Sequence, residues 1–70
     1  MVNQMVLSTE IEWIGYEQKQ SMLQVEFLTG GVYQYQDVPR HVFEDFLSAP
    51  SHGKYFETRI KGRYPYRKVR

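Results

Sequence analysis

The sequence predicts an α+β fold: a three-stranded antiparallel β-meander followed by two short helices packed on one face, in the order β-β-β-α-α. Three observations predict it. Apolar and polar residues alternate through the first half of the chain, most cleanly over Leu23 to Phe27. Paired glycines, Gly30-Gly31, separate two such runs in the manner of a hairpin turn. Beyond Pro39 the apolar spacing changes to three and four residues, the period of a helix. Strands that precede helices in sequence point to a segregated α+β domain.

The first strand is Ile11-Glu12-Trp13-Ile14-Gly15-Tyr16-Glu17, rich in aromatic and β-branched residues. The adjacent Trp13-Ile14 pair and Gly15 spoil its alternation, so a bulge is expected near Gly15. Trp13 shares the parity of Ile11, which predicts a packed position in the core. Glu17 to Ser21 is a polar connector, and Leu23, Val25 and Phe27 then mark one face of the second strand. With Thr29-Gly30-Gly31 as a three-residue loop, Phe27 pairs with Tyr33 and Val25 with Tyr35 on the return strand Val32 to Gln36. That register puts both tyrosines on the apolar face, beneath the helices, and leaves Gln24, Glu26, Gln34 and Gln36 on the other; a two-residue loop reverses the side. Asp37 is a candidate cap and Pro39 fits a first helical turn. Val42, Phe43, Phe46 and Leu47 form one apolar stripe, while Glu44 and Asp45 point to water. Pro50 stops this helix. Ser51 caps a second one, in which Phe56 and Ile60 share a side and Gly62 marks the end.

These elements make a single domain over residues 8–62, followed by a basic C-terminal tail or short terminal strand over 63–70. A chain of 70 residues buries only about 60% of the surface its unfolded form exposes, so a single compact core is all it can build. The absence of cysteine removes disulfides and thiolate metal sites, which points to a reducing, cytoplasmic setting. The run Met1 to Leu7 has no basic start, and Asn3 and Gln4 break its apolar stretch, so neither a signal peptide nor a membrane association is expected.

Charge is segregated along the chain. Six of its 9 Lys and Arg residues lie at 59–70, a stretch without acids, whereas all 8 Asp and Glu residues lie before it. Such a tail either addresses a polyanion or pairs with the acidic body of its own domain. Tyr64 and Tyr66 interleave with the bases, a pattern suited to phosphates and stacked bases. Six cations on six phosphates of a single strand predict a log-log salt slope near roughly −4. The Tyr33-Gln34-Tyr35 strand could offer a second stacking platform if its rings faced water, but the hairpin parity favours the core. His41 and His52 have no metal-site spacing, so no metal or cofactor is expected. The acids are scattered and no nucleophile is paired with a base, so the chain is not expected to be an enzyme. Gly30-Gly31 lies in a hairpin and opens no helix, which excludes a phosphate loop.

An ordered set of residues resembles the KTSC domain: Ile14-Gly15-Tyr16, the central Tyr33-Gln34-Tyr35, Val38-Pro39 with Phe43 and Phe46, then Ser51, Gly53, Tyr55, Phe56 and Ile60. That family occurs at the C-terminus of some lysyl-tRNA synthetases and as small stand-alone bacterial proteins. The resemblance implies a small domain without established activity, and its attachment to a synthetase suggests RNA as a partner. Two functional readings follow. One is a nucleic-acid-binding domain using Arg59, Lys61, Arg63, Tyr64, Tyr66, Arg67 and Lys68. The other is a protein-interaction module, a homodimer or accessory domain, that uses an exposed sheet edge or apolar patch.

Overall fold

The computed structural model describes residues 2–70. Five strands form one antiparallel sheet in the order β1 (Val2–Met5), β2 (Ile11–Glu17), β3 (Met22–Phe27), β4 (Val32–Tyr35) and β5 (Tyr66–Lys68). Between β4 and β5 the chain forms α1 (Arg40–Leu47), then α2 (His52–Tyr55), which continues as a π turn over Phe56–Ile60. The α+β class and the one-sided helices match the sequence reading, but the sheet has five strands where three were expected. The two added strands flank the central meander. β1 lacks an apolar alternation because it is an edge strand, with Asn3, Gln4 and Met5 all exposed. β5 reads as a charged tail because all three of its residues are exposed.

The bulge lies between Ile11 and Trp13, not at Gly15, which pairs regularly with Asn3 and Gln24. This relocation explains Trp13. An extra residue at Glu12 reverses the alternation, so Ile11, Ile14 and Tyr16 turn inward together and Trp13 falls on the opposite parity. Trp13 is half-buried and no member of the core.

The hairpin loop is Leu28-Thr29-Gly30. The Phe27 N–H donates to the Gly31 carbonyl and the Gly30 N–H to the Phe27 carbonyl, both at 2.8 Å. Gly30 holds φ +101°, the positive value that the last loop position requires, and Gly31 faces Phe27 just before β4. Val25 therefore pairs with Tyr33 and Leu23 with Tyr35, a register displaced by two residues from the expected one. A displacement by an even number preserves the faces, so both tyrosines stay on the apolar side.

Glu17 Oε1 accepts from the Lys19 N–H at 3.3 Å to start the connector, and Ser21 closes it with φ 51°. At α1 the cap differs from expectation. Pro39, in extended conformation, is the N-cap itself and its carbonyl accepts from the Val42 N–H at 3.0 Å, whereas Asp37 adopts φ 60° and caps nothing. Ser51 caps α2 as expected, accepting from the Lys54 N–H at 3.2 Å. The second helix then departs from α geometry: the Lys61 N–H donates to the Phe56 carbonyl at 2.9 Å, five residues back. Phe56 and Ile60 are still both buried.

The core lies between the sheet and the helices. Ile11, Ile14, Leu23 and Val25 from the strands meet Val38, Phe46 and Ile60, and all seven are fully buried. The Tyr16 ring stacks on Phe43 with centroids 5.0 Å apart, and its hydroxyl donates to the Val38 carbonyl at 2.6 Å. These contacts pin the loop before α1 onto the sheet and so fix which face the helices cover.

Candidate nucleic-acid interface

β5 is held along its length. The Val32 N–H donates to the Arg70 carbonyl at 2.9 Å, the Val69 N–H to the Val32 carbonyl at 2.8 Å, and the Gln36 N–H to the Pro65 carbonyl at 2.8 Å. Its register, Tyr35 with Tyr66 and Tyr33 with Lys68, sets Tyr66 and Lys68 on the helix side of the sheet. Arg67, opposite Gln34, falls on the other side.

The helix-side placement creates a cleft of about 650 Å³ between the strand ends and the π turn, walled by Phe27, Tyr33, Tyr35, Phe56 and Tyr66. The walls are an aromatic network. Tyr66 stacks on Tyr35 with centroids 5.4 Å apart and lies 5.8 Å from Tyr33, while Phe56 meets Phe27 and Tyr35 edge-on at 5.3 and 5.7 Å. Tyr66 is 60% exposed, whereas Tyr35 beneath it is 3% exposed. Burial, followed by the neighbouring Tyr66, pushes the Tyr35 phenol up to about 12, so its hydroxyl keeps its proton throughout the physiological range. Lys61, Lys68 and Glu57 complete the cleft. The Lys68 ammonium stands 6.0 Å over the Tyr33 ring, and Lys61 reaches Glu57 at 3.8 Å in an exposed pair. Two ammonium groups against one carboxylate leave the cleft net positive.

The remaining predicted residues separate. Arg59, Arg63 and Tyr64 line a second cleft with His41, Asp45 and Tyr55, on the α1 side of the π turn. There the Tyr55 hydroxyl donates to the Val42 carbonyl at 3.4 Å, and burial, then Asp45, raises its pKa against the opposing pull of Arg59. Arg67 instead donates to Gln34 Oε1 at 3.5 Å, and Arg70 pairs with Glu26 at 3.5 Å, both on the helix-free face. Of the two expectations for the basic segment, self-pairing is seen at Arg70 and Lys61, which pair with Glu26 and Glu57. The expected core position of the Tyr33-x-Tyr35 pair holds for Tyr35, while Tyr33 is half-buried and joins the cleft wall. The roles of Phe27 and Phe56 as cleft walls had no signal in the sequence, since both match a plain core pattern.

Among the described residues no group of three or more His, Cys, Asp or Glu side chains is placed to hold a metal, and no helix is long and apolar enough to cross a membrane.

Comparison with known proteins agrees with this architecture. The chain superimposes on a crystal structure of a KTSC domain protein from Yersinia pestis with TM-score 0.94 and 39% identity, covering 99% of this chain and 97% of that one. It is 42% identical over 59 residues to a lysine–tRNA ligase of Nostoc punctiforme, matching 84% of this chain but 10% of the ligase. The chain thus spans about a tenth of that relative's length. It is also 38% identical over 61 residues to a protein of similar size from Tsukamurella paurometabola, covering 87% of this chain and 91% of that protein. The sequence profile of the KTSC domain matches residues 7–64, and the chain belongs to the KTSC domain family.

Proposed function

We propose that this domain is a non-enzymatic binding module for single-stranded RNA, engaged through the helix side of its C-terminal segment. The observation that carries the reading is Tyr66, a 60% exposed ring stacked on Tyr35 and flanked by Lys61 and Lys68 at one cleft. An exposed aromatic face beside cations is the combination that holds unpaired bases and their phosphates. Arg59, Arg63 and Tyr64 extend the positive surface across the π turn, while Arg67 and Arg70 take no part because they lie on the opposite face. Occurrence of a similar domain on a lysine–tRNA ligase, an enzyme that handles RNA, supports the same partner.

Titration of the domain with a labelled single-stranded RNA at two salt concentrations tests this. Four cations, Arg59, Lys61, Arg63 and Lys68, predict a log-log slope of roughly −3, shallower than the roughly −4 that all six tail bases would give. Absence of binding at low salt would overturn the reading.

A second reading has its own observation. Leu7 is 95% exposed and Met5 57% exposed beside the open edge of β1, which is a surface suited to a protein partner or a second copy. Concentration-dependent sedimentation of the domain without RNA would favour it.

A further inference from the structure

Two of the tyrosines packed in this domain, Tyr16 and Tyr55, satisfy their hydroxyls on backbone carbonyls. Tyr16 donates to Val38 at 2.6 Å and Tyr55 to Val42 at 3.4 Å. Tyr35 is as buried as Tyr16, yet its hydroxyl has no hydrogen bond to any described group. A buried phenol normally finds a partner. Since no inaccessible side-chain oxygen or nitrogen of the described residues lacks one, the small accessible surface of Tyr35 includes this hydroxyl, and Tyr35 lines the aromatic cleft.

We propose that the cleft is a pocket for one unstacked nucleobase, with the Tyr35 hydroxyl donating a hydrogen bond to a ring nitrogen or carbonyl of the base, Tyr66 stacking on it, and Lys61 and Lys68 holding its phosphate. This inference rests on the RNA reading and adds to it a base-recognition site. The size suits the occupant, because about 650 Å³ is within the range of small-ligand pockets. Charge decides between two flat-walled possibilities. An aromatic enclosure could also take a quaternary ammonium ion, but Lys61 and Lys68 outnumber Glu57 and would repel a cation. An anionic group bearing an aromatic ring meets both the rings and the ammonium groups. The raised pKa of Tyr35 keeps its proton available for donation at neutral pH.

The test compares adenosine 5′-monophosphate and uridine 5′-monophosphate with ribose 5-phosphate, which has the phosphate and no base, by NMR titration of the domain. At least one nucleotide is expected to bind about tenfold or more tightly than ribose 5-phosphate, with shifts centred on Tyr33, Tyr35 and Tyr66. Tyr35→Phe should weaken nucleotide binding about fivefold, the size of one neutral hydrogen bond, while the spectrum stays folded. Tyr66→Ala, at an exposed position, should weaken it about tenfold. Tyr16→Phe should leave nucleotide affinity unchanged. Equal binding of nucleotides and ribose 5-phosphate, or stronger binding of tetramethylammonium, would overturn the pocket. The two proposals fail separately: RNA binding that Tyr35→Phe leaves unchanged refutes the pocket alone, and nucleotide binding without RNA binding refutes the RNA reading alone.

Discussion

Tyr16 and Tyr35 occupy matching places on neighbouring parts of one sheet, but among the described residues only the first closes a hydrogen bond through its hydroxyl. Tyr16→Phe leaves the Val38 carbonyl without its donor in a buried setting, and it is expected to cost about 1–3 kcal/mol in urea unfolding. Tyr35→Phe removes a hydroxyl with no hydrogen bond among the described residues, so its cost should stay within about 0.5 kcal/mol. Equal losses for the two variants would contradict the assignment. Tyr35 also makes stability depend on alkali. Its pKa is about 12 when folded against 10.0 for a free tyrosine, so the unfolded chain releases the proton first. The stabilisation is complete below pH 10 and is lost as pH rises toward about 12. Urea midpoints measured from about pH 9 upward should therefore fall more steeply for the native sequence than for Tyr35→Phe.

At the scale of elements, the hairpin loop and the last strand carry the most weight. A Cβ at Gly30 would meet nothing within 4 Å, so the penalty of Gly30→Ala is purely conformational, set by φ +101°. It is expected to be about 1–2 kcal/mol. Ser51→Ala removes the cap on Lys54 and should cost about 1 kcal/mol, measured in the same way. β5 is short and its three residues are exposed, but the backbone bonds that flank it, from Pro65 to Gln36 and from Val69 and Arg70 to Val32, and the Tyr66 ring over Tyr35 bind it to the sheet. Amide exchange at Val32 and Gln36 should accordingly be slow in the native chain and fast after deletion of residues 65–70. Fast exchange at both positions in the native chain would mean that β5 does not persist.

At the scale of the whole molecule, β5 divides the basic segment between two faces, and this division is what an RNA would sense. Replacing Lys61 and Lys68 by Gln should weaken RNA binding and flatten its salt slope by roughly 1.4, two cations' worth for a single strand. Replacing Arg67 and Arg70 should leave affinity and slope unchanged, while equal effects of the two pairs would show that the faces are not distinguished. The sequence by itself determined the α+β class, the central β2-β3-β4 meander, the apolar stripe of Val42, Phe43 and Phe46, and the Ser51 cap, because each follows from periodicity or from a bond between near neighbours. It also determined the family, through the ordered set that runs from Ile14 to Ile60. The outer strands, the Glu12 bulge that turns Trp13 outward, and the sorting of Arg67 from Lys68 were decided only by the tertiary structure. Edge pairing and register are set by partners distant in the chain, and a polar edge strand looks like a tail until the strand beside it supplies the missing hydrogen bonds.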